Sequence, residues 1–190
     1  TSAVDEVTIT VPASCSLTNT VGSAHTATIE TGVYQDDIGE TTFKVTCNDS
    51  EGFSVYAIGY TDDTYGNTAM KPSVLADTNA IATGLATSGD TSNWAMKLTA
   101  VTGDYSPTIE TGFDAYNEVP AEYTKVASYA SNTDSSSGSS FKSTYAAFIA
   151  SAQPADTYTG KVKYTVVHPS NTDAPALAML DTGENVNMKM

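Results

Sequence analysis

Apolar and polar residues alternate along much of the chain. In the opening run "EVTITVP", Val7, Ile9 and Val11 fall on one side and Glu6, Thr8 and Thr10 on the other, and Pro12 ends the run. A period of two predicts a half-buried strand. The same pattern marks "HTATIETG" and "ETTFKVTC", with the acidic "YQDDIGE" between them read as a turn. In "GFSVYAIGY", Phe53, Val55 and Ala57 alternate with Ser54, Tyr56 and Ile58, and apolar residues on both faces predict a central strand. Further strands are expected at "NWAMKLTAV", "SPTIETGF", "EYTKVASYA", "SFKSTYAAFIAS" and "DTYTGKVKYTVVH".

Between Thr61 and Asn93 the chain is rich in turn formers and poor in periodicity. It reads as a long polar connection with a short helix near "PSVLAD". The tract "SNTDSSSGSS" reads as an exposed loop. About nine short strands at these spacings predict an all-β fold, a mostly antiparallel β-sandwich. Nothing resembles an interdomain linker, so residues 1–190 are taken as one domain. The pentapeptide "TIETG" occurs at Thr28–Gly32 and again at Thr108–Gly112, each time before an acidic, Tyr-containing stretch. That 80-residue offset with matching hairpins suggests a duplicated unit, two related halves of one sandwich, although coincidence explains it equally well in a chain so rich in Thr.

Composition agrees with strands: Ser and Thr supply 50 of the 190 residues, there are 11 Tyr, and Arg is absent. The formal charge of −14 repels phosphate backbones and anionic surfaces, so nucleic acid is excluded as a partner. No run of apolar residues is long enough for a membrane span. The chain begins at Thr1 with a strand-like run and no leader, which is expected of a processed, secreted protein. Cys15 and Cys47 each end a strand-like run, so a disulfide between them would staple two strands; two buried free thiols are the plainer alternative.

Catalytic chemistry finds little support. His25 and His168 are the only imidazoles, and both sit in or beside strand-like runs as core or edge residues would. Asp181-Thr182-Gly183 is the tripeptide of aspartic proteases, but a second copy to share the proton is missing. The pairs Asp36-Asp37 and Asp62-Asp63 lack the spacing of a calcium loop. No enzyme, metal or cofactor is expected. Tyr65, Tyr105 and Tyr116 lie in turn-like sequence and are candidate ligand-contact aromatics for host or cell-surface glycans, whereas Trp94 within "NWAMKL" is expected in the core.

"VDEVTITVP", Cys15 just after it, Cys47 at the end of "FKVTC" and the late run "ADTYTGKVKYTVV" together resemble the pilins of the chaperone–usher type. In that late run Tyr158, Gly160, Val162, Tyr164 and Val166 alternate. The resemblance implies an incomplete immunoglobulin-like, pilin-like sandwich, completed by a strand from a neighbouring subunit. Two features depart from it: the Thr61–Asn93 connection, and the 22 residues from Pro169 to Met190 that follow the last strand.

An exposed sheet edge must be covered or used, and a donated strand does both. The candidate donor is residues 1–12, with Val4, Val7, Ile9 and Val11 as its apolar residues. A second exchange segment is the extension 169–190, where Val186, Met188 and Met190 alternate with Asn185, Asn187 and Lys189. The alternative is that both segments pair within their own molecule. The function expected is a structural subunit of an extracellular filament on the cell surface, a polymer of identical chains; a monomeric adhesin or carbohydrate-binding module is the second reading.

Overall fold

The computed structural model describes residues 8–21, 24–61, 64–133, 136–169 and 182–189. Thirteen strands among them form two sheets. In the first sheet β1 (Cys15–Val21) pairs with β3 (Val33–Cys47), which pairs with β11 (Ser139–Ile149), then β8 (Asn93–Ala100) and β7 (Ala82–Thr83). The second runs β2 (Ala24–Thr28), β13 (Thr182–Lys189), β12 (Thr157–Val167), β4 (Phe53–Thr61), β10 (Thr124–Tyr129) and β9 (Thr108–Ile109). The short strands β5 (Thr64–Tyr65) and β6 (Lys71–Pro72) join it on β4 and β12. All pairings are antiparallel except β13 with β2 and β7 with β8. The protein is an all-β sandwich of two mostly antiparallel sheets.

Alternation explains the core. Phe43 and Val45 of β3, Phe141, Tyr145 and Ile149 of β11, and Trp94, Met96 and Leu98 of β8 are all buried. They face Phe53, Val55 and Ala57 of β4 and Tyr158, Val162 and Tyr164 of β12 across the two layers. Phe43 stands between Phe141 and Tyr164, with ring centroids 5.1 and 4.6 Å away. Trp94 is in the core, and its indole N–H donates to the Thr68 carbonyl at 2.9 Å, so burying the ring leaves no orphan donor.

Four local readings change. The acidic "YQDDIGE" is no turn: β3 runs through it for 15 residues. Asp37 and Gly39 there have φ of +48° and +61°, and the register with β11 shifts opposite them, so the segment bends the strand without ending it. The long polar connection contains β5, β6 and β7 and is pinned by Met70 and Ile81, both buried, which exchange backbone hydrogen bonds of 2.8 and 2.9 Å. In place of a helix at "PSVLAD" there is a single 3-10 turn over Asp77–Asn79. The "TIETG" echo is not a repeated hairpin: β9 pairs with β10, whereas β2 and β3 belong to different sheets. What the copies share is a left-handed glycine, Gly32 at φ +78° and Gly112 at φ +98°.

Candidate strand-exchange groove and terminal segments

Strand β12 has two neighbours along its length, β4 on one side and β13 on the other. The β13 ladder spans eight positions, from Thr157 opposite Lys189 to Tyr164 opposite Thr182. On its far side β13 runs parallel to β2, from Asn185 opposite Ala24 to Lys189 opposite Thr28. The segment that follows the main sandwich therefore fills a slot between β2 and β12. Were it absent, both strands would present unpaired backbone groups.

The register sets which residues of β13 share the core side of the sheet. Tyr158, Gly160, Val162 and Tyr164 are the buried core positions of β12. Opposite them stand Met188, Val186, Glu184 and Thr182. Val186 and Met188 are also opposite His25 and Ala27 of β2. The two apolar residues of β13 thus occupy the two positions aligned with the core on both neighbours. Thr182 and Gly183 of the protease-like tripeptide begin this strand, where they make backbone ladder contacts. Among the described residues no three His, Cys, Asp or Glu side chains stand together as a metal site.

His25 lies in the floor beside this slot. Its Nε2 is 2.8 Å from the buried Thr41 hydroxyl, and burial pushes its pKa below the usual imidazole value. The ring packs so closely on Gly39 that a Cβ at 39 would come within 2.1 Å of Nδ1, a second reason, besides its positive φ, for glycine there. His168, at the end of β12, has Nδ1 3.5 Å from an Asp49 carboxylate oxygen.

The N-terminal candidate donor takes a different position. From Thr8 to Ser14 the chain forms no strand, and Ile9 and Val11 are 82% and 75% exposed. Asn48 holds the segment before β1: its Oδ1 accepts from the Ser14 N–H at 2.6 Å and its Nδ2 donates to the Pro12 carbonyl at 3.1 Å. Cys15 follows and is disulfide-bonded to Cys47, its direct partner in the β1–β3 register. Val4 and Val7 lie outside the described residues, as do Asp62, Asp63 and residues 170–181 of the C-terminal extension.

The three candidate tyrosines occupy separate places. Tyr65 is opposite Tyr60 near the end of β4. Tyr105 packs edge-on against Tyr129, which is opposite Phe53 at the start of β4. Those two sites are about seven residues of strand apart, roughly 23 Å. Tyr116 sits over the other sheet, where its hydroxyl donates to Asp37 Oδ1 at 2.8 Å and accepts from the Asp37 N–H at 2.7 Å. Its neighbour across a small pocket is Tyr34, which sequence reading assigned to a turn.

No family model matches the chain, and no curated protein matches it either. Among solved structures it is similar to AggA, the major subunit of aggregative adherence fimbriae type I from Escherichia coli, at 14% identity and a TM-score of 0.41, covering 95% of this chain and 97% of that one. It is also similar to a structure from the aggregative adherence fimbriae of enteroaggregative Escherichia coli, at 13% identity and a TM-score of 0.45, covering 92% and 97%. A family 123 glycoside hydrolase from Clostridium perfringens gives 7% identity and a TM-score of 0.38, covering 94% of this chain but 27% of the enzyme.

Proposed function

We propose that the chain is a structural subunit of an extracellular filament, assembled by exchange of a terminal strand between copies. The N-terminal segment of one copy enters the slot between β12 and β2 of the next and replaces β13. One observation carries this reading: a strand from beyond the main sandwich fills the slot, while Ile9 and Val11, spaced as alternate strand residues, stand in solvent.

The exchange is physically balanced. An incoming strand of about eight residues restores the ladder bonds that the outgoing one gives up, so the backbone term nearly cancels. Val7, Ile9 and Val11 then offer three β-branched residues at the spacing where β13 offers Val186 and Met188, and β-branched residues suit a pleated surface better. The Cys15–Cys47 bond anchors the donor at its root, and disulfides of this kind persist in the oxidising surroundings of a cell surface.

Deleting residues 1–11 tests the reading, because it removes the donor and leaves the sandwich and its disulfide. Electron micrographs and light scattering should then find monomers where the full chain forms polymers. Polymers of ordinary length from the truncated chain would remove the N-terminal segment from the mechanism.

A further inference from the structure

The outward face of the first sheet carries a second apolar cluster. Phe148 and Ala146 of β11 alternate with the core residues Ala147 and Tyr145, and Ala95 of β8 follows the core residue Trp94. All three point away from the main core and are nonetheless buried. Ala146 is opposite Ala95, and Phe148 is opposite Tyr34. Tyr34, Tyr116 and Leu85 stand around the two alanines, with Asn93 at the edge, and enclose a pocket of about 90 Å3. Leu85 at the rim is 53% exposed.

One wall is fixed more firmly than a surface tyrosine requires. Tyr116 exchanges two hydrogen bonds with Asp37, and the Lys97 ammonium lies 4.6 Å from its ring centroid while pairing with Asp37 at 3.1 Å. Asp37 has the one positive φ of any non-glycine among the described residues. Backbone strain of this kind persists where surroundings over-determine it and is concentrated at ligand sites. Lys97 does not line the pocket, although its ammonium lies against the ring of Tyr116, which does. Burial raises the pKa of both phenols, so they stay neutral at any physiological pH.

We infer that this pocket binds a neutral pyranose, with the apolar C–H edge of the sugar ring seated between Tyr34 and Tyr116 over Ala95 and Ala146. Two tyrosines and two alanines in the lining match the apolar side of a sugar, and Asn93 and Tyr34 bring polar groups to the same lining for its hydroxyls. The net charge of −14 and the nearby Asp36, Asp37 and Glu40 oppose acidic or sulfated sugars. A cationic ligand is opposed by the ammonium already against the Tyr116 ring. A pocket this small holds one edge of a ring, so each site is weak and an array of copies gains by avidity. The inference rests on this face alone and is independent of strand exchange.

The test is an NMR titration of the monomeric protein with the methyl glycosides of galactose, glucose, mannose and N-acetylglucosamine. At least one should give saturable shifts at the amides of Leu85, Ala95 and Ala146, with an affinity of roughly 1–10 mM. Tyr34→Ala, with its fold verified from the same spectra, should weaken binding about tenfold or more, and Ala95→Val should do the same by filling the floor. Shifts that persist unchanged in Tyr34→Ala would overturn the assignment, as would no saturable shift with any glycoside. Tetramethylammonium serves as the cationic probe, and shifts at these amides with it alone would overturn the sugar in favour of a cation.

Discussion

Gly160 lies against the indole of Trp94: a Cβ at 160 would come within 2.8 Å of Cζ2 and 3.0 Å of Met70 Cγ. The glycine is a core position of β12, and the largest side chain of the opposite sheet occupies the space its own side chain would have taken. Gly160→Ala should therefore destabilise the fold through overpacking, by about 1–3 kcal/mol. Urea titration should read this as a lower midpoint with an unchanged slope. An unchanged midpoint would mean that the indole can shift, contrary to the close packing around it.

Cys15 and Cys47 close a loop with a sequence separation of 32 residues. On the chain-entropy model the bond contributes roughly 3–4 kcal/mol. The paired substitution Cys15→Ala with Cys47→Ala should lower the denaturation midpoint accordingly, and reductant should shift the parent protein by a similar amount while leaving the variant alone.

The long strands were legible because alternation is local. β4, β8, β11 and β12 each carry a run of core residues at every second position, and each was expected close to where it stands. What was illegible depends on distant partners. Val7, Ile9 and Val11 alternate as well as any strand, yet alternation says only that a segment suits a pleated surface and not which sheet it joins. The pairing of β13 with β2 joins segments about 160 residues apart and leaves no trace in either. At "YQDDIGE" two adjacent carboxylates and a glycine imitate a turn, because the same left-handed residues serve to bulge a strand. Tyr34 falls within that turn-like stretch. The signal that would have found it is two alanines, Ala95 and Ala146, on the outward side of long strands, where small apolar residues leave room for something above them.

Asp156 gathers hydrogen bonds from the Ser73 hydroxyl at 2.6 Å, the Val74 and Leu75 N–H groups at 2.9 Å each, and the Thr157 N–H at 2.7 Å. These donors, Ser73 first, hold its carboxyl well below the usual range. A depressed folded-state pKa gives stability that is present above the unfolded pKa of about 4 and lost as pH falls through the folded value. Acid titration of stability below pH 4 should therefore be less steep in Asp156→Asn than in the parent. Equal slopes would show that other carboxylates carry the acid sensitivity.

His25 acts over a different window. Burial depresses its folded-state pKa below 6.5, so the unfolded chain takes up the proton first and stability falls as pH drops through about 6.5 and continues to fall until the folded pKa is passed. His25→Gln keeps a polar group for Thr41 but cannot titrate. Between pH 7 and pH 5 its loss of stability should be smaller than that of the parent, measured by urea midpoint at each pH. Parallel profiles would mean that His25 is protonated as easily folded as unfolded.

The slot filled by β13 offers the sharpest test of assembly. Thr159 and Asn187 are direct partners across β12 and β13 at positions off the core side, where antiparallel partners have Cα atoms about 4.5–5.5 Å apart, within the Cα range that a disulfide spans. The double substitution Thr159→Cys with Asn187→Cys would lock β13 in place once oxidised, without deleting any part of the sandwich. Under strand exchange into this slot, the oxidised double variant should remain monomeric. Either single-cysteine variant should assemble like the parent, since its β13 is free to leave. Mass measurement of intact protein establishes that the new bond has formed, and its stability should equal or exceed the parent's. Filaments from the locked protein would mean that β13 stays in its own subunit throughout and that copies meet through another surface.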